Sequence, residues 1–380
     1  MSESKPVKIT LPPLQITLQD EQQVSLQWLP QQSINQNQAF QNPPSPASLS
    51  DSWKTWIAIN QLLKQPDHSI LQRMVDNGID VKIALEEISQ STNHPYLKAG
   101  EQFIQQLQKL ESILKIQNQL AALSVQANTI PRIYSLSRQE FLEYYYTKNT
   151  PVILTGVMQK WAALHLWNPD YLQNHYGNAE VEVQAERQAD PEYEINIEKH
   201  RKTILFKDYI DWIKQVDSSN NYYMVANNGN LDREEMQGLL NDLDIFPDYL
   251  NPDEKKGRIF FWFGPAGTIT PLHHDPVNLM LAQVVGRKKI KLFPPQQTPF
   301  LYNQVGVFSK VDPENPNLEK YPLFKQAKPI ELILEPGEVI FIPVGWWHHV
   351  KSLDLSISVS FTNFIFPNHY EWRNPTFGRS

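Results

Sequence analysis

The chain has 380 residues, 41% of them hydrophobic and 11% aromatic, with a formal net charge of -7, a globular composition that excludes a disordered or fibrous protein. There is no cysteine, which excludes disulfides, thiolate-bound zinc, iron–sulfur clusters and thiol nucleophiles, and leaves catalysis to His, carboxylate, Lys, Tyr or a metal. The acidic balance disfavours nonspecific duplex binding, and neither the start MSESKPVKIT nor any later stretch supplies a signal-peptide core or about 18 consecutive apolar residues, so a soluble cytoplasmic protein with no membrane partner is expected.

Residues 1–50 are rich in Gln, Pro, Asn and Ser and read as an extended or linker segment, with at most one strand around Ile16–Leu26. From Asp51 the period becomes helical. Trp53, Trp56, Ile57, Leu62 and Leu63 predict a first helix with Ser50 or Asp51 as N-cap, and Asn77-Gly78 marks a turn. Val81, Ala84, Leu85 and Ile88 predict a second helix, and Ile104, Leu107, Leu110, Ile113, Leu114 and Leu120 a longer third one. Residues 51–128 thus read as a helical domain whose stripes pack on each other and on the rest of the chain, a homodimer contact being the alternative.

After Thr129 short β-branched and aromatic runs take over: Pro151–Leu154, Val181–Val183, Tyr222–Val225 and Ile259–Phe263. Asn227–Asn230 reads as a turn and connector into a helical segment, Leu231–Leu243. Strands then come densely at Leu279–Val285, Lys288–Phe293, Ile330–Leu334, Val339–Ile342 and Leu355–Phe361, which predicts a β barrel or sandwich over 129–380. No phosphate-binding glycine loop occurs.

His273-His274-Asp275 carries the first chemical signal. In a strand, residues two apart share a face, so His273 and Asp275 point together while His274 points away. Alone, His-x-Asp suits a surface turn better than a metal site, and Pro276 encourages the turn. Downstream, Trp346-Trp347-His348-His349 follows the turn Pro336-Gly337 and the apolar strand Val339–Ile342. A second histidine would complete the two-His, one-carboxylate set that holds non-haem Fe(II) on one face. Parity cannot choose between His348 and His349, and the cluster also suits an aromatic plug at a barrel end.

Lys288 shares strand parity with Ile290 and Leu292, so it faces the apolar side, where a charge needs an anion. An internal carboxylate would serve; beside an iron triad the natural anion is the distal carboxylate of 2-oxoglutarate. Ser356, Ser358 and Ser360 alternate with apolar residues. They either line a barrel interior or form a solvent face, and the pattern alone favours the solvent face.

Together, Trp262-Phe-Gly-Pro-Ala-Gly-Thr-Ile-Thr-Pro-Leu-His-His-Asp-Pro276, Gln283–Lys288, Leu292-Phe-Pro-Pro295 and Pro336–His348 resemble the cupin-like JmjC hydroxylases, small Fe(II)/2-oxoglutarate oxygenases. The resemblance covers roughly Thr129 to Phe366, with Trp161 and Trp167 in its first part, and leaves the helical N-terminus unexplained. It implies a mainly β fold, a double-stranded β-helix of jelly-roll type, behind an α-helical N-terminal domain. It also implies His273, Asp275 and His348 as iron ligands, Thr270 and Lys288 as contacts of the 2-oxoglutarate carboxylate, and Tyr223, Trp262 and Asn363 as lining of the cosubstrate pocket. Two departures stand out. The family's asparaginyl hydroxylase of hypoxia-inducible factor has Asn where this chain has Leu279, with Asn278 one position early, and Trp where it has Ile365.

The implied activity uses Fe(II), 2-oxoglutarate and O2 to hydroxylate a protein or peptide side chain. Demethylation of N-methyl-lysine ranks lower, because no reader or zinc module accompanies the barrel. A tRNA or small-molecule substrate is the enzymatic alternative, with tRNA disfavoured by the acidic balance. A metal-binding cupin without oxygenase activity, acting as an interaction protein, is the alternative of another class.

Overall fold

The computed structural model describes residues 49–124, 128–225 and 228–372, so the extended segment expected before Asp51, the strand around Ile16–Leu26 and Asn227 of the expected turn lie outside the described residues. Helix α1 (Asp51–Leu62) starts at Ser50, whose hydroxyl accepts from Trp53 N and satisfies one of the amides a helix start leaves open. Helix α2 (Asp67–Asp76) forms where the sequence reading placed only a connection to Asn77-Gly78. Its apolar residues, Ile70, Leu71, Met74 and Val75, make a stripe of little more than one turn, too short to stand out by period. Helix α3 (Val81–Thr92) is capped by Asp80, which accepts from Lys82 N at 2.9 Å, and α4 runs from Pro95 to Ala122.

Ile57, Ile70, Met74, Ala84 and Ile88 form the small core of α1 to α3. Buried Gln61 ties α1 to α3, donating to Ile88 O at 2.9 Å and to Thr92 Oγ1 at 2.8 Å while accepting from Ser91 Oγ at 2.7 Å. Two compact units divide the chain after Ala121, with Leu318–Gln326 grouping with the first. Among the described residues no helix is long and apolar enough to cross a membrane.

The second unit is mainly β. In chain order its strands are β1 (Arg132–Tyr134), β2 (Val152–Thr155), β3 (Glu180–Gln184), β4 (Arg201–Leu205), β5 (Ile259–Gly264), β6 (Ile269–His274) and β7 (Leu279–Val285). Then follow β8 (Lys288–Phe293), β9 (Asn303–Val305), β10 (Phe308–Ser309), β11 (Ile330–Leu334), β12 (Val339–Ile342), β13 (Trp347–Ser352) and β14 (Ser356–Phe361). One sheet has the order β1-β2-β12-β7-β14-β5 and the other β11-β8-β13-β6-β10-β9, while β3 and β4 pair apart. Apart from parallel β1 and β2, neighbours in both sheets are antiparallel, the arrangement of a jelly-roll, the double-stranded β-helix.

Between the sheets lies an inner cluster to which the first contributes Ile153, Leu281, Ile340 and Ile342 and the second Ile290, Leu292, Leu334 and Val350. The reverse face of the first sheet is buried too. Val152, Met280, Ala282, Phe341, Val359 and Phe361 pack there on Phe141, Leu172, Phe206 and Ile210. Strands covered on both faces read as continuous apolar runs, which is why β7 and β12 stand out in the sequence at their observed bounds.

Three expectations change. Ser356, Ser358 and Ser360 do not form a solvent face: they are buried inside the barrel, since Ile357, Val359 and Phe361 occupy the helix-covered side. Burial is tolerated because each hydroxyl is paired. Ser358 donates to Gln283 Oε1 at 2.8 Å, Ser356 accepts from Gln283 Nε2 at 2.9 Å, and Ser360 accepts from Trp262 Nε1 at 2.8 Å. Tyr222–Val225 is no strand but two isolated bridges, because Tyr223 pairs with Gln184 and Met224 with Phe263 on different elements. Residues 231–243 form 3-10 turns, Asn230–Asp232 and Glu234–Asp242, rather than an α-helix. Gly238 lowers helix propensity there, and the buried pair Met236 and Leu239 follows the three-residue repeat of a 3-10 helix.

The turn from β7 to β8 depends on Gly286, with φ +68; a Cβ there would meet Leu355 O at 2.1 Å. Gly286→Ala adds a left-handed backbone penalty of about 1–2 kcal/mol to that clash, so urea denaturation is expected to show a loss of at least about 2 kcal/mol.

Candidate metal centre and anion pocket

Strands β6 and β13 meet in the order His273 opposite His348 and Thr270 opposite Val350, with a register shift between them. Two residues of β13 therefore span three of β6, so β6 carries a bulge at Pro271 and Leu272. Proline, which has no N–H to offer the ladder, fits such a place. The extra residue resets parity. Thr270 and His273, an odd number of positions apart, both lie on the barrel's inner side, whereas in a regular strand they would oppose each other.

His273, Asp275 and His348 come together, each offering one ligand atom, with all three atoms within 4.8 Å of one another; among the described residues they are the one such cluster. His273 Nε2 lies 3.9 Å from Asp275 Oδ1 and His348 Nε2 3.5 Å from Asp275 Oδ2. Their Nδ1 atoms sit against backbone carbonyls two residues back, Pro271 O at 2.8 Å and Trp346 O at 3.1 Å. With Nδ1 as donor to a carbonyl, Nε2 keeps its lone pair for the cluster's centre. Burial, reinforced by the neighbouring His273, holds His348 well below the usual imidazole range and so neutral.

His274 and His349 point elsewhere. His274 meets Trp347 edge-on, ring centroids 4.7 Å apart, and His349 is buried on the opposite face of β13 from His348, its pKa held to about 4 by burial. The backbone around Asp275 is tied to the turn before β13 by Gly345 N, which donates to Asp275 O at 3.0 Å. Both indoles beside the cluster are satisfied at their N–H ends: Trp346 donates to Asn149 O and Trp347 to Thr298 Oγ1, each at 2.8 Å.

On the inner face of β8, Leu292 pairs with His348, Ile290 with Val350 and Lys288 with Ser352. Lys288 therefore stands four residues along the barrel wall from His348, roughly 13 Å by strand rise. Only 1% exposed, its Nζ donates to Tyr223 Oη at 3.2 Å and lies 5.6 Å from the Trp262 ring centroid. No carboxylate of the described residues pairs with it. Burial alone pulls its pKa down to about 7, while burial pushes that of Tyr223 up to about 12. The side chains of Thr270 and Thr268 lie close enough to the Tyr223 hydroxyl to offset part of that rise.

The structure thus gathers Thr270, Tyr223, Trp262 and Lys288. Asn363 is anchored to Asn251, donating to its carbonyl at 2.7 Å, and no hydrogen bond joins it to the lysine group. Leu279 packs on the inner cluster while Asn278 is engaged outside it, accepting from Val344 N at 2.8 Å and donating to Tyr370 Oη at 2.7 Å. Ser352 was missed in the sequence; with β13 not recognised there as a strand, nothing signalled that Ser352 pairs in register with Lys288 and accepts from Thr268 Oγ1 at 2.8 Å.

This fold and site define a cupin-like protein of the JmjC type, and a model of the cupin-like domain matches residues 137–365. The chain belongs to that family. It is 38% identical over 240 residues to lysine-specific demethylase 8 of Xenopus tropicalis, covering 61% of this chain and 52% of that protein. JmjC domain-containing protein D of Dictyostelium discoideum is 34% identical over 255 residues, 59% of this chain and 53% of its own. tRNA wybutosine-synthesizing protein 5 of Gallus gallus is 29% identical over 245 residues, 61% of this chain and 76% of its own. The chain spans about half the length of the first two.

A buried lysine without an anion makes folding pH-dependent. Between about pH 7 and 10.5 the unfolded chain holds a proton that folded Lys288 has released, so this residue makes stability rise with pH through that window. Lys288→Met is expected to raise the melting temperature of the ligand-free protein at pH 7 by a few degrees, about 1 kcal/mol or more. Thermal unfolding from pH 7 to 10 should show that advantage shrinking.

Proposed function

We propose that residues 129–380 form an Fe(II)- and 2-oxoglutarate-dependent oxygenase domain, behind a helical domain at 51–128, and that it hydroxylates a protein or peptide side chain. The observation that carries this reading is the unpaired, buried Lys288 on the same inner wall as three convergent ligand atoms. Two imidazoles and one carboxylate suit Fe(II) and leave coordination positions open, and their Nδ1 contacts already hold the rings in the ligating tautomer.

His273, Asp275 and His348 would hold the metal. With iron, 2-oxoglutarate and O2 bound, the centre would supply oxidation of a substrate C–H bond, consuming 2-oxoglutarate to succinate and CO2. The chain's residues supply binding and exclusion. Lys288 gives the distal carboxylate a counter-charge, and an arriving anion restores its protonated form. The hydroxyls of Tyr223 and Thr270 lie in the same group and offer neutral donors. Trp262, held by Ser360, closes one side, and the apolar inner cluster keeps water from the pocket.

The relatives' names support both a protein and a tRNA substrate, and lysine demethylation among the former. Demethylation is hydroxylation of an N-methyl group followed by loss of formaldehyde, so the same site performs either. The acidic chain favours a protein substrate over tRNA.

Purified protein with Fe(II) is expected to turn over 2-oxoglutarate slowly without substrate, and His273→Ala and Asp275→Ala are expected to fall to background. No turnover by the wild type would overturn the reading in favour of a silent metal-binding cupin. Mass spectrometry of a peptide extract incubated with the enzyme separates the products. One added oxygen marks hydroxylation, loss of a methyl group marks demethylation, and oxidised nucleosides in a parallel tRNA incubation mark the third substrate class.

A further inference from the structure

Beside Tyr223 lies a second buried cation. Arg187 is fully buried at the first position of the short turn Arg187–Ala189. Unlike Lys288 it is paired: Nη2 donates to Glu194 Oε1 at 2.7 Å and to Ile269 O at 2.8 Å, and Nη1 to Asn220 Oδ1 at 2.9 Å. The same Asn220 oxygen accepts from Ile269 N at 2.9 Å. Both backbone polar groups of Ile269 are therefore clamped by one guanidinium and its partner, immediately before Thr270 and the bulge.

The guanidinium also faces two rings. It lies 4.2 Å from the Tyr193 ring centroid and 5.1 Å from that of Tyr223. Tyr223 has its backbone paired with Gln184, three residues before Arg187, at 2.8 and 3.0 Å. Arg187 thus touches the supports of two of the three groups that meet at the anion pocket, Thr270 through Ile269 and Tyr223 through its ring.

We propose that Arg187 is a positioning residue for the carboxylate-binding group, holding the Thr270 and Tyr223 hydroxyls where they converge with Lys288. This rests on the oxygenase reading above. A planar fork explains why arginine stands here: three acceptors in fixed directions are met from one group whose flat faces still stack on rings, which a lysine cannot do. Glu194 neutralises the guanidinium, so Lys288 keeps the pocket's unpaired charge.

Arg187→Lys keeps the charge and removes the fork; Asn220→Ala keeps the Arg187–Glu194 pair and frees Ile269 N. The test measures Mn(II) and 2-oxoglutarate dissociation constants by calorimetry, with 2-oxoglutarate added to the Mn(II)-loaded protein, and thermal unfolding of each variant. Arg187→Lys is expected to bind Mn(II) as the wild type does and 2-oxoglutarate about 10- to 100-fold more weakly, the range for a residue supporting a ligand-binding group. In turnover, KM for 2-oxoglutarate should rise while kcat stays within roughly threefold.

A purely structural arginine would lower the melting temperature and leave the 2-oxoglutarate constant of the folded protein unchanged, which would overturn the proposal. If Arg187→Lys does not fold, Asn220→Ala decides: weakened 2-oxoglutarate binding at unchanged Mn(II) binding supports the clamp, and wild-type binding of both overturns it. A wild type that binds Mn(II) but not 2-oxoglutarate would instead sink the oxygenase reading itself, a result seen before any variant is made.

Discussion

A charge removed from water without a partner is the constraint around which the barrel is built. Lys288 opens β8 on the inner face, and burial alone depresses its pKa to about 7. The fold accepts this cost, several kcal/mol for an unpaired ion, because the lysine has no freedom to leave. β8 is fixed between β11 and β13 by full ladders, and Gly286 sets the turn that delivers it. Among the described residues the amine finds only a neutral hydroxyl and two ring faces. On the proposed reading an arriving anion would stabilise this site, which would couple ligand binding to folding stability through one residue.

The second constraint is the bulge in β6. Strand parity separated His273 and Asp275 from His274, and the two do converge, although β6 ends at His274 and Asp275 lies just past it. The same rule would have put Thr270 on the wrong face, because nothing in Ile269-Thr-Pro-Leu-His273 announces the extra residue except Pro271. Thr270 entered by resemblance, and the bulge supplies its physical reason. His348 over His349 followed the same route: the resemblance named it, and the direct pairing of His348 with His273 brings the two rings to 4.1 Å between centroids.

Legibility elsewhere followed burial. Strands β7, β8, β11 and β12 were readable to the residue because burial on both faces, or clean alternation, leaves an unambiguous pattern. Strand β13 was not, since Trp347–Ser352 mixes aromatic, histidine and lysine residues whose separate partners, Thr298, the cluster at His273 and the β8 register, lie far away in sequence. The serines of β14 misled for a related reason. Alternation tells two faces apart but cannot tell which is wet, and here the polar face turned inward onto Gln283 and Trp262. Helix α2 was too short, and its apolar residues too few, to be seen by period.

Leu279 sharpens what this particular barrel does with its pocket. With Asn278 engaged by Val344 and Tyr370 and Leu279 packed inward, the wall beside Asp275 offers methyl groups where an amide donor could have stood. On the proposed reading, fewer donors near the cluster would shift the work of orienting an anion to its far end, where Lys288, Tyr223 and Thr270 meet. Placement errors there would go uncorrected by any contact at Leu279. The positioning role proposed for Arg187 would meet that demand, since one rigid guanidinium bonds the carbonyl before Thr270 and lies against the ring of Tyr223.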